Sequence, residues 1–261
     1  MSFIDTIQPL YSLSGLGVGF LVGLTGVGGG SLMTPLLILL FGVHPQTAVG
    51  TDLLYAAITK AVGTGVHGFS GGVDWKVVRR LASGSIPASA LALIVLHTLG
   101  APSQVATHLM TRSLGVALLL TAPCILFRAA IMQRLAGFSA SLSDRQTHIL
   151  TVAIGALLGF LVSLSSVGAG AIGVTVLLVL YPGLSTARIV AADIAHAVPL
   201  TMVAGLGHWL LGSVNGGMLL SLLVGSIPGI ILGSLFVGMV RESVQRTVLA
   251  TVLTIVGIRM I

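Results

Sequence analysis

The chain has 261 residues, of which 55% are hydrophobic and only 7% charged, with a formal charge of +6. About a quarter of an ordinary soluble domain is charged, so this sequence cannot cover itself with a water-facing surface. Its Lys and Arg residues are scattered between apolar blocks, with no aromatic interleaving and no basic face. That pattern excludes a nucleic-acid partner and leaves the lipid bilayer.

The apolar blocks run to about 15–23 residues, lengths suited to helices that enter or cross a hydrocarbon core of roughly 30 Å. Leu118-Leu119-Leu120 and Leu177-Leu178-Val179-Leu180 are apolar on every face, unlike the alternating strands of a membrane barrel. The fold class expected is an all-α integral membrane protein. Met1 to Gln8 lacks the basic stretch and cleavage pattern of a signal peptide, so the first apolar block is expected to be retained. The single Cys124 offers neither a disulfide framework nor a cysteine metal site. No metal and no cofactor is expected.

In chain order the segments lie near 9–27, 31–42, 47–69, 81–99 and 105–127, then 148–165, 169–182, 189–211, 217–240 and 247–261. Five fall in each half. Residues 1–135 form the first unit, 136–147 a polar cytoplasmic linker within the hydrophilic stretch from Arg128 to Thr147, and 148–261 the second unit. Val27-Gly28 and Gly30 match Val167-Gly168 and Gly170 at a spacing of 140 residues. At 141, Asp52 meets Asp193, His67 meets His208, and Gly84-Ser85-Ile86-Pro87 meets Gly225-Ser226-Ile227-Pro228.

An odd number of segments per unit turns the second copy upside down, and the positive-inside rule tests this. With simple alternation, Lys76, Arg79, Arg80, Arg128, Arg134, Arg145, Arg188, Arg241 and Arg246 all fall on one side. The units therefore read as inverted repeats, a plan of secondary transporters that bind substrate near the midplane. Both termini are then outside. Segment two, with about 12 apolar residues, is short enough to re-enter rather than span; whether segments one, six and seven cross is left open.

Gly26-Val27-Gly28-Gly29-Gly30-Ser31 and Ser165-Ser166-Val167-Gly168-Ala169-Gly170 break the apolar stretches at matching places. Non-helical backbone at membrane depth is tolerated only inside protein or along a polar cavity. A helix starting after such a turn aims free N–H groups and a partial positive charge at it, which suits an oxyanion. Thr25, Ser31, Ser165 and Ser166 add hydroxyl donors beside Gly28, Gly29, Gly30, Gly168 and Gly170. Gly15, Gly19 and Gly23, at fourfold spacing, read instead as helix-packing positions.

Lys60 lies about nine residues inside segment three, too deep for its side chain to reach water, and ionisable residues at such depth are functional candidates. Its repeat partner is Thr201. Asp52 and Asp193 open segments three and eight, where a carboxylate can cap a helix or carry a coupling proton or sodium ion. His67, His196 and His208 can relay protons near neutral pH, or satisfy helix ends. His108 and Arg112 share a helix face and suit an anion-attracting mouth. Pro35, Pro87, Pro199 and Pro228 start or kink helices.

Gly28-Gly29-Gly30-Ser31 with Pro35, then Ala48-Val49-Gly50-Thr51-Asp52, then the doubled Gly-Ser-Ile-Pro, resemble the TauE/SafE sulfite exporter family over nearly the whole chain. The resemblance implies secondary export of small sulfur-containing anions such as sulfite, sulfonates or sulfoacetate, with some members taking up thiosulfate or similar anions. The second copy departs from the pattern, with Thr175 in place of Pro35 and Ala169 in place of the middle glycine. The expected partners are thus a small sulfur-containing anion, protons and the bilayer of a bacterial inner membrane, with a homodimer among the open assemblies. Rival readings are an anion channel of the same fold, a metal-cation permease using the histidines and aspartates, and a membrane-embedded enzyme. Carboxylates and thiolates do not cluster as a cation permease requires, and no nucleophile–base spacing stands out. Cysteines introduced at Lys76 and Gly216 should react with impermeant thiol reagents from opposite faces of the membrane; labelling from one face would overturn the inversion.

Overall fold

The computed structural model describes residues 7–25, 32–67, 72–100, 103–140, 142–168, 170–236 and 242–261. Among these, every regular element is a helix: α1 (Pro9–Thr25), α2 (Met33–Leu39), α3 (Pro45–His67), α4 (Trp75–Thr98), α5 (Gln104–Leu126), α6 (Arg128–Ala140), α7 (Asp144–Ser165), α8 (Ala171–Leu180), α9 (Thr186–Leu210), α10 (Gly216–Leu235) and α11 (Glu242–Met260). Their starts obey local chemistry. Asp74, Ser103, Ser143, Ser185 and Asn215 each accept a hydrogen bond from a first-turn backbone N–H of α4, α5, α7, α9 and α10. At α7, Ser143 and Gln146 complete a capping box.

Helices α4, α5, α7, α9 and α10 are each long and apolar enough to cross a membrane. By contrast α2 has 7 residues and α8 has 10, reaching only about 10 and 15 Å at 1.5 Å per residue. The short segments are half-helices, unable to span alone.

The first 13 residues of the hydrophilic stretch from Arg128 to Thr147 form α6. Arg, Ala, Met, Gln and Leu there are good helix formers whatever their polarity. One expectation is corrected: Asp52 and Asp193 do not cap helices. Helix α3 starts at Pro45 and α9 is capped by Ser185, so each carboxylate stands two turns inside its helix.

The most extensive interfaces pair α1 with α10 and α4 with α7. Both are seams of backbone on backbone. A Cβ added at Gly15, Gly19 or Gly23 of α1 would overlap the backbone of Leu222, Ser226 or Ile230 in α10. Gly155 and Gly159 of α7 lie in the same way on Leu81 and Ser85 of α4. Where lipid is as apolar as the side chains, such close approach supplies the dispersion contacts that hold helices together. The packing role read for Gly15, Gly19 and Gly23 is the one they have.

Helices α3 and α9 cross in the centre, antiparallel, with Gly50 against His208 and Leu54 against Gly205. Leu53, Leu200, Ala204, Leu96 and Met110 fill the core beside them. At the basic end, Arg80 is only 7% exposed. Its guanidinium donates to both carboxylate oxygens of Asp144 (3.0 and 2.9 Å) and to the Tyr181 hydroxyl (3.3 Å), and Tyr181 hydrogen-bonds Thr151 at 2.8 Å. A topology signal alone does not account for Arg80, since it ties α4 to the start of α7 and the end of α8. Elsewhere the rings of Tyr11 and Phe41 lie 4.8 Å apart, joining α1 to the end of α2.

The seams predict a paired outcome. Gly19→Leu must force α1 from α10 and should cost about 1–3 kcal/mol or more, seen as a lower melting temperature of the detergent-solubilised protein. Gly17→Leu, on the open side of the same helix, should leave it unchanged.

Candidate functional site

Helix α7 ends at Ser165, and the chain turns back into α8 over five residues. Ser166 adopts a left-handed conformation (φ 59°), while Gly168 and Gly170 have φ of 118° and 122°, accessible at low cost to glycine. The Ser165 hydroxyl is consumed by the turn. It donates to the Leu161 carbonyl (2.6 Å) and accepts from the Val167 N–H (3.2 Å). Ser166 differs, being 8% exposed with a hydroxyl that makes no hydrogen bond among the described residues. Helix α8 then begins with Gly170 as its cap residue and no side chain on its first N–H groups. Its positive end is left to whatever group lies there.

Two carboxylates flank this break. Asp193, from α9, places Oδ1 against Gly173 in the first turn of α8, where any side chain would collide with it. Asp52, from α3, faces the Ser166 hydroxyl and receives a hydrogen bond on Oδ2 from Thr34 Oγ1 of α2 (2.5 Å). Both aspartates are buried, at 0% and 2% exposure, yet Asp52 Oδ1 and Asp193 Oδ1 make no hydrogen bond among the described residues. Half-buried Lys60 of α3 interacts electrostatically with both, more strongly with Asp193.

Two further buried groups close the neighbourhood. His196, one turn after Asp193, shares a 2.7 Å hydrogen bond between Nε2 and Ser85 Oγ, leaving Nδ1 unpartnered. Tyr55, its repeat partner, lies beside Ser226, the repeat partner of Ser85, without completing a hydrogen bond. Buried polar atoms without partners are rare and call for an explanation. Among the described residues five belong to this neighbourhood: Asp52 Oδ1, Ser166 Oγ, Asp193 Oδ1, His196 Nδ1 and the Tyr55 hydroxyl.

The structure thus brings Lys60, Asp52, Asp193, Ser166, Gly168, Gly170 and His196 together. His208 has a different job, its Nε2 donating to the Ser163 carbonyl at the end of α7 (2.8 Å). That is the helix-end role weighed for histidine. His108 and Arg112 are exposed on α5. They share a shallow groove of about 590 Å³ with Val105, Leu109 and Leu161, and are not brought to the break. Gly28, Gly29, Gly30 and Ser31, with the side chains of Thr25 and His67, lie outside the described residues. Among the described residues His, Cys, Asp and Glu nowhere gather in threes with the geometry of a metal site. Sequence reasoning missed Thr34, Ser85 and Gly173 as site residues. Ser85 stands out only as part of the doubled Gly-Ser-Ile-Pro motif, and it is the folding of the chain that brings the three to Asp52, His196 and Asp193.

A polytopic helical membrane protein, with its apolar segments broken in the interior around buried charges, is built as a transporter. The chain belongs to the TauE/SafE sulfite exporter family, whose family model matches residues 11–260. Among its relatives, the probable membrane transporter protein YjnA of Bacillus subtilis (strain 168) is 40% identical over 214 residues, 82% of this chain and 84% of that protein. YdhB of the same organism is 28% identical over 80% of this chain and 81% of that protein. MJ0441 of Methanocaldococcus jannaschii is 26% identical over 80% and 75% respectively. Both of these also carry the name probable membrane transporter protein. No solved structure matches the chain.

The Thr34–Asp52 contact makes a prediction about stability. Thr34→Val leaves the Asp52 carboxylate without its hydroxyl donor and should destabilise the protein by about 1–3 kcal/mol. Thr59→Val, which removes a hydroxyl that among the described residues bonds to carbonyls of its own helix, should change stability by less than about 0.5 kcal/mol. Comparable melting temperatures for the two variants would refute the assignment.

Proposed function

We propose that the chain is a secondary transporter, working as an exporter, of small sulfur-containing anions such as sulfite or an organosulfonate like sulfoacetate. In this reading residues 1–135 and 148–261 are inverted repeats, and their relative movement exposes a central site to each side in turn. The protein lies in a bacterial inner membrane with both termini outside, and carries out no catalysis.

The observation that carries the reading is the second helix break. The buried Ser166 hydroxyl makes no hydrogen bond among the described residues and α8 starts without a side-chain cap, close to two carboxylates that interact with Lys60, in a protein interior where an unsatisfied donor is costly. An oxyanion would satisfy these donors and draw on Lys60 for charge. In the same reading Thr25, Gly28, Gly29, Gly30 and Ser31 of the first break, matched in sequence to the second, also contribute donors to the anion. The inverted plan is supported by the packing: α1 on α10 and α4 on α7 are the same pair of repeat segments taken in opposite order. Proton coupling is supported by two buried carboxylates facing one ammonium. The lack of any gathered metal-ligand set among the described residues speaks against a cation permease.

Purified protein in liposomes should show saturable flux of at least one of sulfite, sulfoacetate, taurine, thiosulfate and sulfate, altered by an imposed pH gradient. Transport of none would sink the substrate class. Lys60→Met should raise KM at least about tenfold, the worth of one modest charge-assisted contact. An unchanged KM and unchanged proton dependence would remove Lys60 from the mechanism.

A further inference from the structure

The start of α8, where an oxyanion is expected, already faces an anion. Asp193 Oδ1 lies against Gly173 in the first turn, at 2% exposure and with no hydrogen-bond partner among the described residues. The absence of a side chain at Gly173 makes this approach sterically feasible. Asp52 stands differently: Thr34 holds one of its oxygens, and its carboxyl group lies beside Ser166. The two carboxylates are thus unequal, one fastened by a hydroxyl of α2 and one resting against the positive end of a half-helix.

The titratable and charged groups around Asp193 are Lys60 and Asp52 from α3 and His196 from its own helix, with Tyr55 near the same centre. With both aspartates ionised and Lys60 protonated, the centre carries one net negative charge before any substrate arrives. A second anion would have to enter against that charge at low dielectric, where like charges repel far more strongly than in water.

Resting on the anion site proposed above, we propose that Asp193 is a tethered competitor for that site: substrate takes the start of α8 only as Asp193 accepts a proton, so anion and proton bind together. The proton comes from bulk water and resides on the Asp193 carboxyl. The incoming anion takes over the α8 N–H groups and Lys60. The neutral carboxyl has lost its claim on the helix end. Asp52, held by Thr34, stays as the standing counter-charge to Lys60.

The test uses full-length protein in detergent and two probes, sulfoacetate and thiosulfate, which do not themselves titrate near neutral pH. Calorimetric titration in two buffers of different ionisation enthalpy counts protons taken up per anion. The wild type should take up about one, with affinity falling roughly tenfold per pH unit on the alkaline side. Asp193→Asn, a mimic of the protonated state, should bind the probe without proton uptake and with a flat pH profile, while Asp52→Asn and His196→Gln keep the uptake. Wild-type binding without proton uptake overturns the proposal, as does uptake persisting in Asp193→Asn; both leave the anion site standing. Binding of neither probe overturns the proposal and the site together. If Asp193→Asn does not fold, Asp193→Glu, which keeps the carboxyl on a longer arm, must move the pH midpoint of binding, and an unmoved midpoint overturns the assignment.

Discussion

Charge at the centre of a membrane protein has to be neutralised by the protein itself, because hydrocarbon offers neither counter-ions nor hydrogen bonds. In this chain that requirement falls on one ammonium, two carboxylates and the open end of a half-helix. None can be removed alone without stranding the others. The architecture around them reads as a consequence: α3 and α9 must cross to bring Lys60 toward Asp193, and α8 must stop short of spanning so that its first turn ends beside a carboxylate. Glycine at 173 is the smallest expression of the same demand, giving up a side chain so that an oxygen can approach.

The glycine seams solve a second problem without disturbing the first. Helices in lipid gain little from burying apolar side chains, so α1–α10 and α4–α7 are held by backbone proximity. At α1–α10 side chains add to it, with Val18 and Val22 of α1 packed in one cluster with Met218, Leu219 and Leu222 of α10. The polar core stays with the crossing helices while the seams tie each half to the other.

Much of the fold is legible in the sequence because hydrophobic blocks, glycine spacing and a doubled Gly-Ser-Ile-Pro motif are local signals. The short segments, the packing glycines and the place of Lys60 among functional candidates all come from spacing alone. The failures have a common cause in nonlocal or context-dependent chemistry. Polarity marks the stretch from Arg128 to Thr147 as the join between the units but does not show α6, which rests on the helix propensity of Arg, Ala, Gln and Leu. The aspartates read as helix ends because the apolar run begins near them, whereas Pro45 and Ser185 start the helices two turns earlier. Thr34 and Gly173 carry no signature, and the motif around Ser85 does not name its partner, since their importance lies in residues 18, 20 and 111 positions away respectively.

The Arg80–Asp144–Tyr181–Thr151 network also bears on how the two halves respond to their surroundings. Thr151 and Tyr181 stand 140 residues after Tyr11 and Phe41, so corresponding positions close the chain at two places with different chemistry: an ion pair with hydroxyls at one, a pair of rings at the other. Dissolved salt screens the first, whose Asp144 carboxylate is exposed, whereas the ring pair carries no charge to screen. Two contacts built from matching positions are therefore not energetic equals, and the ionic strength of the surrounding water acts on one of them and not on the other.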